Sequence, residues 1–340
     1  MPPQSRPRRR ARASRGVRWL CALLAFGPAA ANAEGATPEL WMGALEPPAR
    51  AARGLAANDY MDLFAAGAPW QAVGAHLTEL LLSKRFVMQA PDDMLAAVVG
   101  GLAGRHIAIA MEVMALVPTK QCGLGVAGYG PPDDARQQAE RVRRAGGTLD
   151  AIVLEGPVWF GHFFAGTDQH PACQMPVADV AKQAIAKIAE VRAVFPNVRV
   201  GEAEPVGDTT DVHEFDQALV EWLADLTLKT GRRLGFLQAQ VFWQRPGWQD
   251  ALRATDAFVR TQGVRLGIVY NGGFGDLPDA AWSEATRRHY TEVEQRLGLA
   301  PDIAAFVSAT PRPEHLLPES ARDSLTGVVL GYLRFRMITK

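Results

Sequence analysis

The stretch Ala151-Ile-Val-Leu-Glu155-Gly-Pro-Val-Trp-Phe-Gly-His162 decides the fold. Four consecutive apolar residues read as a strand buried on both faces, as in a parallel sheet covered by helices. The run stops on a carboxylate and a Gly-Pro turn, so the polar residue stands where the strand ends. The same grammar repeats along the chain. Short apolar, β-rich runs alternate with longer amphipathic helical stretches, the pattern of βα units. It predicts strands near Leu77–Leu82, Ile107–Met114, Ala151–Glu155, Val198–Glu204, Leu234–Val241, Leu266–Asn271 and Ala304–Ser308. Proline followed by acidic residues opens helices at Pro91-Asp92-Asp93 and Pro131-Pro132-Asp133-Asp134.

Seven units point to an α/β (β/α)8 TIM barrel whose eighth strand is the open question. Tyr60–Phe64 is one source for it or else a helix closing the barrel bottom, and an open seven-unit barrel is the alternative. No linker, repeat or low-complexity tract divides the chain, so residues 58–340 are expected to form one barrel domain. Residues 34–57, with Pro47-Pro48 and many alanines, read as an irregular N-terminal extension.

The first 33 residues carry seven arginines and no acid, then an apolar run from Trp19 to Ala31 that ends in Ala31-Asn32-Ala33. This order is that of a cleaved signal peptide, too short in its apolar part to span a bilayer. An uncleaved anchor is the alternative, and Arg8-Arg9-Arg10 leaves the export route open between the general and the twin-arginine pathway. The expectation is therefore an exported protein, periplasmic or extracellular, with no membrane span after cleavage. Without the leader, 36 basic residues fall to 29 against 36 acidic ones, a net charge of −7. Lysine and arginine do not cluster in the remainder, which argues against nucleic acid as a partner. Two cysteines stay behind, Cys122 and Cys173. An even count in an oxidising compartment suggests a disulfide. Two free thiols are the alternative, and metal binding is disfavoured because neither has a second sulfur or closely spaced histidine nearby.

In (β/α)8 barrels the active site lies at the C-terminal ends of the strands. The polar residues that interrupt strand ends are Lys84, Glu112, Glu155, Glu202, Glu204, Gln238, Gln240, Asn271 and Ser308. Glu155 and Glu204 end neighbouring strands about 4.8 Å apart. That proximity suits the ~5 to 9 Å separation of the two carboxylates of glycoside hydrolysis, a solvated strand-end carboxylate being the plainer reading of Glu155. Glu112 reads either as a third acid of the site or, preferred, as a structural partner of Lys84. Gln238, Gln240 and Asn271, the last beside Tyr270, offer neutral hydrogen bonds suited to hydroxyl groups. Trp159, Phe160, Trp243 and Trp248 follow strand ends, where an indole face can carry a sugar ring or simply pack a loop. Only His162 lies in a candidate loop, so a metal site lacks ligands. No nucleophile-elbow serine, phosphate-cradling loop or dinucleotide fingerprint appears, and no cofactor is expected.

The segments Cys122-Gly-Leu-Gly-Val-Ala-Gly-Tyr-Gly130, Glu155-Gly-Pro-Val-Trp-Phe-Gly-His162, Gly201-Glu-Ala-Glu-Pro205 and Gly267-Ile-Val-Tyr-Asn-Gly272 together resemble a group of secreted bacterial proteins with a glycoside-hydrolase-like barrel. The resemblance spans most of the chain after the leader. It implies the barrel fold, a broad sugar-active class, and a disulfide between Cys122 and Cys173 joining two loops of the top face. The better-known retaining glycosidases place an Asn-Glu pair on one strand and a nucleophilic Glu three strands later. Here Leu154 precedes Glu155, and Asn271 occupies the later strand end. The leading expectation is an exported glycosidase acting on a poly- or oligosaccharide, with Glu155 as general acid/base and Glu204 as nucleophile or base. Glu202, Glu112, Trp159, His162, Gln238, Gln240, Trp243, Tyr270 and Asn271 would bind substrate. A non-catalytic glycan-binding barrel is the alternative, and a metal-dependent sugar isomerase or lyase a weaker one.

Overall fold

A computed structural model describes residues 37–207, 212–273 and 275–338. The segment read as a signal peptide, residues 1–33, lies outside the described residues. Eight parallel strands close in chain order: β1 (Glu39–Gly43), β2 (Glu79–Leu82), β3 (Ala108–Met114), β4 (Ala151–Glu155), β5 (Arg199–Val206), β6 (Phe236–Val241), β7 (Arg265–Val269) and β8 (Ile303–Val307), with β8 pairing back to β1. Among the described residues ten α-helices surround or connect them: α1 (Pro47–Ala51), α2 (Gln71–Gly74), α3 (Lys84–Gln89), α4 (Asp92–Ala103), α5 (Asp134–Arg144), α6 (Val177–Arg192), α7 (Val212–Thr230), α8 (Trp248–Thr261), α9 (Asp279–Tyr290) and α10 (Leu325–Ile338). This is the (β/α)8 barrel, and no helix among the described residues is long and apolar enough to cross a membrane.

The seven expected strands are present, Ala151–Glu155 with the expected bounds and the others with ends displaced by one or two residues. The eighth is not Tyr60–Phe64, whose residues 61–64 form a 3-10 helix with Tyr60 buried against Phe64 and Phe86. It is Glu-Leu-Trp-Met-Gly at 39–43, inside the segment read as an irregular extension. That run lacks the β-branched residues that mark strands in a sequence. Its alternation explains its place: Trp41 points into the barrel and meets Phe236 edge-on at 5.1 Å, while Leu40 and Met42 pack outward against the helices. The large Phe236 ring fits because its β5 neighbour is Gly201, where a Cβ would lie 2.1 Å from the ring.

Below this aromatic layer, the N-terminal end of the barrel is closed by charge. Arg199 pairs with Glu79, Asp150 and Glu39, and Arg265 donates to Glu39 at 2.7 Å. Above it, the interior stays open. At the top, Cys122 and Cys173 form a disulfide that ties the loop after β3 to the segment before α6.

Candidate active site

Side chains alternate along each strand, so one register places a single set of residues inside the barrel. On β3 that set includes Glu112, on β4 Glu155, and on β6 Gln238 and Gln240. Together with Trp243, Gln244, Asn271 and Thr310 from the following loops they line a cavity of about 290 Å³ at the C-terminal mouth. Its floor is apolar: Leu81, Val153, Ala203, Val269 and Val307. A larger depression of about 400 Å³ lies at the opposite end, beside the residues that lead into β3, lined by Trp70, Gln71 and Arg105 and by no carboxylate.

Glu112 pairs in register with Val153, and Glu155 stands two residues higher on β4. With ~4.8 Å between strands and ~3.3 Å per residue, their α-carbons lie roughly 8 Å apart. Glu155 accepts from Gln240 Nε2 at 3.4 Å. Burial, aided by the charge of Glu112 and opposed by that hydrogen bond, pushes its pKa up to about 8. Glu112 accepts from the Lys84 backbone N–H at 3.0 Å. Burial raises its pKa as well, against the opposing pull of Lys84. Lys84 is thus a partner of Glu112 as the structural reading expected, but mainly through its amide. Its ammonium lies 2.7 Å from Asp134, which also holds Lys187 at 2.5 Å.

Glu204 does not reach this cavity. Glu155 is in register with Ala203, so Glu202 and Glu204 on β5 face the helix layer. Glu202 accepts from the Trp222 indole at 2.6 Å, and burial lifts its pKa to about 8. Glu204 accepts from the backbone N–H groups of Val158 (2.8 Å) and Trp159 (3.1 Å). It caps the helical turn that follows β4, a position where a carboxylate meets unpaired N–H donors. Gly156 at φ +45° makes that turn possible, since a Cβ there would lie 2.4 Å from Phe160.

The aromatic candidates divide in the same way. Trp159 packs on Phe163 at 6.3 Å, His162 Nδ1 bonds the Met175 carbonyl at 2.6 Å, and neither lines the cavity. Tyr270 sits one residue from Asn271 and so faces outward, donating to Glu294 at 2.9 Å. Trp243 does line the cavity. Its indole N–H donates to Asn271 Oδ1 at 2.8 Å, and its ring stacks on His289 at 4.0 Å. An indole N–H only donates, so the bonded Asn271 atom is its oxygen and the amide nitrogen is the free end. His289 bonds the Asn271 carbonyl at 2.7 Å, and burial lowers its pKa to about 4, which keeps it neutral.

Four participants had no signal in the sequence. Gln244 and Thr310 enter from loops beyond strand ends, His289 supports the site from α9, and Glu46 holds the Ser83 N–H and hydroxyl, each at 2.8 Å, at the start of α3. Among the described residues, no three His, Cys, Asp or Glu side chains gather closely enough to hold a metal ion.

No protein-family model and no curated protein sequence matches the chain. Solved structures do. A bacterial Ig-like domain containing GH10 xylanase from termite gut is 10% identical with a TM-score of 0.52, over 89% of this chain and 77% of that one. A GH10 endoxylanase from a sugarcane soil metagenome is 10% identical with a TM-score of 0.47, over 87% and 97%. Morphinone reductase is 14% identical with a TM-score of 0.45, over 86% of each chain. At such identities the likeness to the xylanase from termite gut is one of architecture, and the chain is a (β/α)8 barrel of the kind that glycoside hydrolases also use.

Proposed function

We propose that the protein is an exported glycoside-hydrolase-like enzyme in which Glu155 is the general acid/base and Glu112, not Glu204, is the second carboxylate. One observation carries the reading: Glu112 and Glu155 are the two acids that line a single cavity at the C-terminal mouth, with neutral amides opposite them. A general acid must hold its proton at the working pH, and Glu155, titrating near 8, does so through neutrality. As a carbohydrate binds, Glu155 delivers its proton to the leaving oxygen. Glu112 supports the positive charge that develops on the sugar ring, as nucleophile or as base toward water. Gln238, Gln240 and Asn271 hold hydroxyl groups, and Trp243, largely buried, forms the wall beside them. The disulfide accords with an oxidising compartment.

Aryl glycosides with good and poor leaving groups test the division of roles. Glu155→Gln should impair cleavage of the poor leaving group far more than of the good one, which needs no proton. Glu112→Gln should impair both alike. Equal sensitivity of the two variants to the leaving group would refute the assignment. A second reading, a glycan-binding barrel without turnover, draws on Asn271, an amide at the end of β7 where a nucleophilic carboxylate would serve. It predicts saturable binding that weakens in Trp243→Ala, with no products.

A further inference from the structure

Gln238 is the deepest amide of the cavity. On β6 it stands two residues below Gln240, roughly 7 Å further in, and its register partners on the flanking strands are Ala203 and Gly267. Its side chain leans across the glycine, where a Cβ would lie 2.8 Å from Gln238 Cγ. Neither neighbour carries a polar side chain. Gln238 is 1% exposed, and its Nε2 has no acceptor among the described residues. A buried donor in this state costs free energy until a ligand or a water accepts from it. The amide above it is already engaged, since Gln240 donates to Glu155 at 3.4 Å.

Sugar substituents offer several kinds of acceptor, and the surroundings of Gln238 separate them. A carboxylate or sulfate ester is disfavoured by its charge: no lysine, arginine or histidine lines the cavity, and Glu112 shares it. A hydroxyl accepts but brings a hydrogen of its own into a floor made by Leu81, Val153, Ala203 and Val269, none of which can take it. An acetamido group suits both the donor and the floor. Its carbonyl oxygen accepts without bringing a hydrogen, and its methyl packs on the same apolar side chains. The N–H of a trans amide lies opposite the carbonyl, and so turns back toward the polar mouth. Glu112 and Glu155 take no part in this contact and keep the roles given to them above.

We propose that the cavity is specific for 2-acetamido-2-deoxy sugars and that Gln238 reads their acyl oxygen. The proposal rests on reading the cavity as a carbohydrate site. It adds the substrate class, and it gives Gln238 an acyl oxygen in place of a hydroxyl.

Calorimetric titration of the full chain carrying Glu155→Gln, chosen to stop turnover, compares N-acetylglucosamine tetramer with cellotetraose and glucosamine tetramer. The acetylated tetramer should bind about ten-fold more tightly than either of the others. Adding Gln238→Met, which keeps the length of the side chain and removes its donor, should cut that preference about five-fold. Should that variant fail to fold by circular dichroism, Gln238→Leu carries the same comparison. Equal or tighter binding of cellotetraose or of the glucosamine tetramer overturns the proposal, as does a preference undiminished in the folded Gln238 variant. A reducing-end assay of the wild type separates this inference from the reading beneath it. Cleavage of neutral sugars that depends on Glu155, without preference for acetylated ones, would sink the inference and leave the glycosidase reading standing. If none of the three sugars is bound or cleaved, both fall.

Discussion

Replacing Glu155 by Gln should stabilise the protein in neutral and alkaline solution while removing its activity. In the folded chain the carboxyl keeps its proton to about pH 8, against an ordinary value of 4.5, because burial and Glu112 disfavour its charge. Between those two values the folded state binds more protons than the unfolded one, so stability is full below about 4.5 and drains away as the pH rises through 8. At ~1.4 kcal/mol per pH unit the whole span amounts to roughly 5 kcal/mol. Partial exposure at the cavity mouth brings this down to about 2–3 kcal/mol. Glutamine has the same shape and no proton to lose. The gap between variant and wild type should therefore widen in the variant's favour from pH 5 to pH 8, by about 5 °C or more in Tm for a domain of this size. Thermal unfolding of both proteins across that range reads the gap directly. Parallel curves, with the same difference at every pH, would refute the claim that Glu155 is held neutral in the fold.

Activity, once a substrate is in hand, should fall as the pH rises through about 8, where Glu155 ionises and stops serving as an acid; a rate profile flat beyond pH 9 would contradict this. Glu204→Gln should keep turnover within a few-fold, because Glu204 caps the turn at Val158 and Trp159 and does not line the cavity. A loss as large as that of Glu155→Gln, in a folded variant, would return Glu204 to the reaction. Gly201→Ala puts a Cβ into the Phe236 ring and should cost about 1–3 kcal/mol in denaturant unfolding, with no cost if the barrel interior has slack. Replacing Cys122 and Cys173 by Ser opens a loop of 51 residues, and should lower stability by up to about 4 kcal/mol; unchanged melting of the reduced wild type would deny the bond a structural role.

Strands buried on both faces were legible from apolar runs that end at turn residues, as at Ala151–Glu155 before Gly156-Pro157. β1 was not. Five residues led by a glutamate carry too little hydrophobic signal, and the strand exists because the first strand of a closed barrel is held on both edges, by β2 and β8. The site followed a similar division. Strand-end position identified Glu112, Glu155, Gln238, Gln240 and Asn271, all of which meet in the cavity. The face that Glu204 takes depends on its register against β4, and a one-residue offset between Glu155 and Ala203 reverses it. Period two along one strand is visible in a sequence, whereas register between strands is a property of the assembled sheet. Trp159, His162 and Tyr270 were misplaced for the same reason. Proximity to a strand end does not say which side of the sheet a ring occupies.

The most direct test of the account is a reducing-end assay of the full-length chain on a panel of amino, acetylated and neutral polysaccharides, beside Glu112→Gln, Glu155→Gln and Glu204→Gln. The account predicts new reducing ends from the wild type and from Glu204→Gln, and a loss on the order of 10²-fold or more in the other two. Products that persist in Glu112→Gln and vanish in Glu204→Gln would contradict it.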